Sequence, residues 1–476
     1  METQCSRQRL LFEDHGHRKV VAAFDGGKIT SDGGGLLLRE VEERFTILRS
    51  FAVGFTDHRC ADASEFSVEE LLRQRVMGIA LGYEDLNDHE QLRHDPLLAL
   101  MCGRKDITGQ DRAAECSKGV PLAGKSTLNR LELTPVGASK DSRYKKIVAS
   151  IATLQDTLVD TFIRLRSQQG IPTEVTLDLD ATDDPVHGDQ LGKFFHGYYK
   201  SYCFLPLYTF CDGWPLGAVL RPSNIDGCAG TIEELQRIIP KLRAAWPCVK
   251  IIVRADSGFC RESVLRWCEE NSVDYVIGLA KNKRLVRAIG GELQQAREQF
   301  EDTGEAARVF KDFRYCTKKS WSRERRVIGK AEHLSKGTNP RFVVTSLPPE
   351  RIDARTLYED RYCARCEMEN RIKEQQLYLF ADRTSTHNMR SNQLRLLFST
   401  MAYLLHHVLR EFGLVGTEME NAQAGTIRSK LLKIGARVQV SVRRVVISLS
   451  EAYPWSRLFA QILANLRRQY PCPLLV

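Results

Sequence analysis

Glu174-Val175-Thr176-Leu177-Asp178-Leu179-Asp180-Ala181-Thr182 alternates strictly between apolar and polar positions. A period of two marks a β-strand whose faces differ in chemistry, with Val175, Leu177 and Leu179 on one and Thr176, Asp178 and Asp180 on the other. Beyond it, residues 202–211 and 215–222 are β-rich, and Asp212-Gly213 between them is the expected hairpin turn. An amphipathic helix over 232–246, a buried strand over 249–254, a helix over 263–271 and a second buried strand over 273–279 follow. Three β runs followed by helix, strand, helix and strand describe an α/β fold, a mixed sheet covered by helices.

The flanks have other textures. Residues 19–24 read as a strand, and Asp25-Gly26-Gly27 and Ser31-Asp32-Gly33-Gly34-Gly35 as turns before a helical stretch at 36–45. Apolar residues recur at helical spacing over 68–81, over 86–101 and from Thr127 onward. After Lys281 short strands are expected at 309–315, 326–331 and 341–345, separated by basic turns, as a β-rich insertion. Two long helices follow at 357–379 and 387–411, then a helix at 427–434, a strand pair within 438–449 and a terminal helix at 455–468. The expected organisation is a mainly helical N-terminal region (1–167), a core in two parts (168–280 and 353–415) interrupted by the insertion (281–352), and a C-terminal region (416–476).

A chain of 476 residues with 43% hydrophobic content can bury more than one core, and 27% charged residues without low-complexity tracts exclude a disordered or fibrous protein. Residues 1–9 lack the apolar core of a secretory signal. The longest apolar run, at 394–409, is broken by Arg395, Ser399, Thr400, His406 and His407, which excludes a simple membrane span. Fourteen cysteines scattered from Cys5 to Cys472 suit a reducing, cytosolic setting rather than a disulfide framework. The net charge of +9 favours a polyanionic partner.

Three acids stand out by position. Asp180 ends the alternating strand, and Asp256 follows the end of the next buried strand, where neighbouring strands of an open α/β sheet converge on a crevice. Glu369 belongs to a helix on which Tyr362, Arg365, Glu369 and Lys373 share one face. Carboxylates gathered from separate elements repel in a partly dry site and need a counter-charge. Two Mg²⁺ or Mn²⁺ ions are the natural one for oxygen ligands, and the chemistry they serve is phosphoryl transfer on nucleic acid. The competing reading is that Asp180 and Asp256 merely cap or terminate their strands.

Leu177-Asp178-Leu179-Asp180-Ala181-Thr182, Arg254-Ala255-Asp256-Ser257-Gly258-Phe259 and Tyr362-Cys363-Ala364-Arg365-Cys366-Glu367-Met368-Glu369-Asn370-Arg371-Ile372-Lys373-Glu374 occur in that order. With them the chain resembles DDE-type insertion-sequence transposases, specifically insertion-sequence family 1380, which is similar to a wider group bearing a Tyr-x2-Arg-x3-Glu signature. The resemblance runs through nearly the whole chain and implies a ribonuclease-H-like core carrying a β insertion between the second and third acids. It implies metal binding by Asp180, Asp256 and Glu369, with Tyr362 and Arg365 supporting the third acid and contacting DNA phosphate. The wider group has Lys seven residues after the Glu, where this chain has Gln376; Lys373 is the substitute candidate. Asp178 shares the face of Asp180, about 7 Å away along the strand; Asp180 is preferred because Ala181-Thr182 follows it, matching the related Asp-x-Thr pattern. The implied activity is cleavage of element ends and joining of the 3′-hydroxyls to target DNA. Double-stranded DNA, as terminal inverted repeats and target, is the expected partner of a homodimer in the synaptic complex, at the nucleoid of a bacterial cytoplasm. A nuclease of the same fold without strand transfer, or a domesticated DNA-binding derivative, is the alternative.

Other motifs weigh less. Gly119-Val120-Pro121-Leu122-Ala123-Gly124-Lys125-Ser126 fits a Walker A pattern but follows a polar stretch rather than a buried strand; Ser126 or Thr127 capping a helix from Leu128 explains it better. Cys363 and Cys366 have no second pair at zinc-ribbon spacing, so packing is their expected role. His187 either reaches the acids or stabilises a turn at the surface. Basic clusters at 281–284 and 443–444, and Lys318, Lys319, Arg323, Arg325 and Arg326, are solvated faces or phosphate-tracking candidates, with Trp321 a candidate for stacking on an unpaired base.

Overall fold

The alternating strand lies in the interior of a mixed sheet in the computed structural model, which describes residues 9–468. Residues 1–8, with Cys5, and Cys472 lie outside the described residues. The described cysteines are all free thiols, and among the described residues no helix is long and apolar enough to cross a membrane. The chain divides into two units, residues 150–400 and residues up to 149 together with 401–468.

In the unit formed by residues 150–400, helix α1 (Ile151–Gln168) leads into β1 (Glu174–Ala181), β2 (Leu207–Cys211) and β3 (Trp214–Val219). Then come α2 (Thr231–Ala245), β4 (Lys250–Ala255), α3 (Glu262–Glu270), β5 (Asp274–Leu279), α4 (Gly290–Thr303), β6 (Ala307–Tyr315), β7 (Arg325–Leu334), β8 (Arg341–Thr345) and α5 (Cys366–Leu379). The order across the sheet is β3-β2-β1-β4-β5-β8-β7-β6. β1, β4 and β5 run parallel, while the β2–β3 hairpin and the β8, β7 and β6 strands pair antiparallel. The expected turn joins β2 to β3: Asp212 (φ 49°) and Gly213 (φ 83°) are both left-handed, and Cys211 pairs with Trp214 across it. Consecutive left-handed residues give a two-residue turn whose twist matches that of the strands.

Both faces of the centre are covered. Val175, Leu177 and Leu179 are buried, and Phe162 of α1 packs its ring 5.9 Å from that of Trp214 and 5.6 Å from that of Trp246. The outer edge of β3 is protected by side chains. Gln155 exchanges both hydrogen bonds with the backbone of Ala218 (2.6 and 3.2 Å), occupying groups that an exposed edge would offer to another strand.

Two differences from the sequence reading concern residues 281–379. The short strands do not stand apart: β8 pairs with β5 and extends the sheet, and 283–303 is helical (Lys283–Ala288 and α4). An apolar run such as Phe342-Val343-Val344 reads the same whether it joins the main sheet or a separate one, because the strand it pairs with is decided by distant residues. The long helix expected from 357 is three segments, a π-helix at Leu357–Tyr362, a 3₁₀ turn at Cys363–Arg365 and then α5. Its irregular start is fixed by packing, since Leu357 and Tyr358 are buried against Ile252, Val276, Ile328, Val343 and Leu347, with Tyr362 beside them.

The other unit combines helices, including Leu36–Phe45, Val68–Leu81, Lys125–Leu133 and Ser456–Arg467, with a small sheet in which Lys28–Thr30 pairs with Ala436–Val440 and that strand with Val445–Leu449. Gly34 lies in a 3₁₀ turn, and it also permits a close approach: a Cβ there would stand 1.8 Å from the Leu431 carbonyl oxygen.

Candidate active site

β1 and β4 lie side by side, parallel, with Arg254 opposite Asp178 and Ala255 opposite Leu179. One further step of that register sets Asp256 beside Asp180, their backbones roughly 5 Å apart at ordinary strand spacing. Asp256 Oδ1 accepts from the Gly258 N–H at 2.8 Å, so this carboxylate does cap the turn Ser257–Phe259 as well as flank Asp180. Arg365, one turn before Glu369, donates to the Glu369 carboxylate and places its Nη1 3.6 Å from Asp180 Oδ2. Asp180, Asp256 and Glu369, far apart in sequence, are thereby brought within range of the Arg365 charge, which all three carboxylates help to hold.

The electrostatics follow from this crowding. Burial pushes the Asp180 carboxyl up to about 7; Arg365 opposes the shift, and the neighbouring Asp256 and Glu369 carboxylates add to it. The Tyr362 hydroxyl is raised too, first by burial, with Arg365 opposing and Asp256 adding. Arg365 is held protonated more firmly than usual: burial disfavours its charge, but Asp180 and Glu369 outweigh that. Tyr362 lies over β5, where a Cβ on Gly278 would stand 2.5 Å from its hydroxyl oxygen and 2.9 Å from the Ser257 amide nitrogen.

Among the described residues no three His, Cys, Asp or Glu side chains stand grouped to hold a metal ion. The expected ligand trio is thus not preassembled, because the Arg365 guanidinium lies between Asp180 and Glu369 and supplies the local positive charge. The donor chemistry fits a hard divalent cation all the same: the acids offer only oxygen, and a carboxyl raised to about 7 by burial and like charge is short of positive charge.

Asp178 has a different environment. It is 5% exposed and forms a two-pronged ion pair with Arg254, Nε to Oδ1 at 2.5 Å and Nη2 to Oδ2 at 2.8 Å. Arg254 Nη1 also donates to the Arg361 carbonyl at 2.6 Å, tying the segment before the Glu helix to the sheet. No local pattern singles out Arg254, although its place two residues before Asp256 and directly opposite Asp178 follows once the strands are known to be parallel. Lys373 is exposed. Gln376 donates to the Asp183 carbonyl at 3.1 Å, binding α5 to the loop after β1.

Several expectations are corrected. Trp321 is 8% exposed, packed edge-on against Tyr315 and beneath Arg325, so it does not present a face to a base. Arg325 is buried in ion pairs with Glu262 and Glu269, and Arg326 with Asp312; Arg323 is exposed but pairs with Glu269. Buried and neutralised cations do not track phosphate. Lys318 and Lys319 remain exposed. Cys363 and Cys366 are exposed rather than packed. His187 is exposed. The Walker-like segment precedes the helix Lys125–Leu133, whose N-cap is Gly124 rather than Ser126 or Thr127, and Lys125 Nζ donates to Asn87.

No curated protein matches the chain. Among solved structures it is similar to a piggyBac transposase in a synaptic complex with hairpin DNA, at 9% identity and a TM-score of 0.39 over 92% of this chain and 86% of that one. The family profile described as "Transposase DDE domain group 1" matches residues 12–471. With a match over nearly its whole length, the chain belongs to the group 1 transposase DDE domain family.

Proposed function

We propose that this transposase cuts the ends of its element and joins the freed 3′-hydroxyls to target DNA, using Asp180, Asp256 and Glu369 as its acid set. The observation that carries the reading is that Asp180 and Asp256 lie one step beyond the last paired residues, Leu179 and Ala255, of adjacent parallel strands, with Glu369 linked to Asp180 through Arg365. Two Mg²⁺ or Mn²⁺ ions bound by these acids would supply the Lewis acidity that activates the attacking oxygen and stabilises the leaving one. The chain's own residues do the positioning. Arg365 neutralises and orients the scissile phosphate, Tyr362 fixes the approach of the Glu helix to the sheet, and Arg254 locks the segment behind it. Water attacks first and the 3′-hydroxyl second, in line, with no covalent protein intermediate.

A ribonuclease-H-like core is supported by the strand order. A central strand bearing the first acid has an antiparallel hairpin on one side and two parallel strands on the other, and the second acid follows the nearer of these. The three motifs support kinship with insertion-sequence family 1380. Terminal inverted repeats are read by the helical N-terminal region and the C-terminal region, two protomers pair the ends, and the protein works on nucleoid DNA in the bacterial cytoplasm. Pre-cut element ends incubated with supercoiled target plasmid and Mg²⁺ test the reading. Joined products are expected; degradation without joining would assign a nuclease of the same fold, and no reaction on cut or uncut ends would assign a DNA-binding derivative.

A further inference from the structure

The sequence from Lys193 to Tyr202 reads Lys-Phe-Phe-His-Gly-Tyr-Tyr-Lys-Ser-Tyr, and no carboxylate occurs between Gln190 and Cys211. It forms a hairpin, Phe194–His196 against Ser201–Phe204, paired in turn with Asp184–Pro185 in the loop that follows β1. Its aromatic side chains face solvent: Phe194 is 42% exposed, Phe195 57%, Tyr198 83% and Tyr202 56%. Burying such rings is worth free energy that this unit forgoes.

The hairpin is built and anchored. Phe195 and Tyr202 pack edge-on at 5.6 Å, as do Tyr198 and Tyr199 at 5.0 Å, so the rings hold one another in place. Ser223 donates to the Phe194 carbonyl at 2.8 Å. Tyr199 donates to the carbonyl of Ala181, the residue after Asp180, at 3.2 Å, which fixes the aromatic tip beside the acid site. Exposed Lys200 puts a positive charge beside the rings, while Lys193, 5.9 Å from the Tyr202 ring centroid, is ion-paired with Asp189 at 3.3 Å.

From this placement we infer that the 194–202 hairpin is a stacking platform for a base unpaired from the duplex beside the scissile phosphate, with Tyr198 and Phe195 as its contacting faces and Lys200 on the backbone. The inference rests on the proposed transposase reading and adds to it a substrate-distorting contact. Flat, sequence-tolerant aromatic faces next to cations suit single-stranded DNA, because every base has a π-face and every nucleotide a phosphate. Drawing one base from the stack opens the junction and presents its phosphate to the acids, at the cost of unstacking.

The test uses full-length protein and a duplex of the element's own end with its flanking sequence, carrying 2-aminopurine next to the cut. In Ca²⁺, which holds off cutting, wild-type protein is expected to change the fluorescence of one flank position, and a Tyr198→Ala/Phe195→Ala double variant to abolish that change while Tyr198→Phe keeps it. In Mg²⁺ the double variant is expected to nick the paired end about tenfold more slowly, with a mismatch at that base pair restoring the rate. An unaltered fluorescence change in the double variant, or an equal loss of rate on paired and mismatched ends, overturns the platform. Unchanged circular dichroism and melting temperature show that the variant folds. If wild-type protein fails to nick in Mg²⁺ while the fluorescence results hold, it is the acid-site reading that fails and not this one.

Discussion

Asp178 and Asp180 stand two residues apart on one strand face, and what separates them is what each touches. Asp178 is taken up by both prongs of Arg254, whereas Asp180 meets two further carboxylates with Arg365 as the nearest cation. Their carboxyls are both raised chiefly by burial, and Asp178 has Arg254 against that shift. For Asp180 the sign of the pH effect is fixed: a carboxyl raised from 3.8 to about 7 binds its proton more tightly in the folded chain. Its contribution to stability is then greatest at low pH, falls between about 4 and about 7, and is a full penalty above 7. Asp180→Asn removes the penalty. In chelator it should raise the free energy of unfolding at pH 8 by on the order of 2–4 kcal/mol and do little near pH 4. Urea unfolding at the two pH values measures this; an equal effect at both would show that Asp180 is not crowded by negative charge.

At the scale of elements, the Glu helix reaches the sheet through an irregular turn. The π-helix Leu357–Tyr362 is anchored in the apolar cluster, Arg254 holds the Arg361 carbonyl, and Tyr362 rests where β5 has only the hydrogen of Gly278. Gly278→Ala should push Tyr362 and the Ser257 amide aside, costing about 1–3 kcal/mol and slowing cleavage, while Gly290→Ala, which meets open space, should do neither. Thermal melts and end cleavage check both; a Gly278→Ala protein equal to wild type in each would remove Tyr362 from the site's support. These elements also mark how much the sequence reveals. Residues 174–181 and the Asp212-Gly213 turn are legible because a period of two and two consecutive left-handed residues are local properties. Tyr362 and Arg365, three apart along a 3₁₀ turn, and Arg365 and Glu369, four apart into α5, each share a face, so their grouping survives the irregular start. Trp321 and Arg325 misled because exposure is set by distant partners, Tyr315, Glu262 and Glu269, that no local pattern names. The aromatic hairpin is hidden for the same reason: Phe194, Phe195 and Tyr198 look like core residues until their neighbours are known.

Across the whole molecule, a net charge of +9 supplies attraction for DNA, but the cations that matter are those left without acid partners. Lys318 and Lys319 are exposed. Replacing both with Ala should lower the slope of log affinity against log salt by about 2, roughly 0.9 for each phosphate that is no longer neutralised. An unchanged slope in a salt titration of element-end binding would exclude them from the interface. The central claim is that three carboxylates from separate elements act as one unit. Nicking of a plasmid bearing both element ends, in Mg²⁺, by Asp180→Ala, Asp256→Ala and Glu369→Ala proteins tests it most directly, with Asp178→Asn as the control beside them. Each alanine variant should lose cutting by about a thousandfold or more, with combined variants no worse than single ones, while end binding persists and Asp178→Asn still cuts. An Asp256→Ala protein that cuts at the wild-type rate would contradict the account.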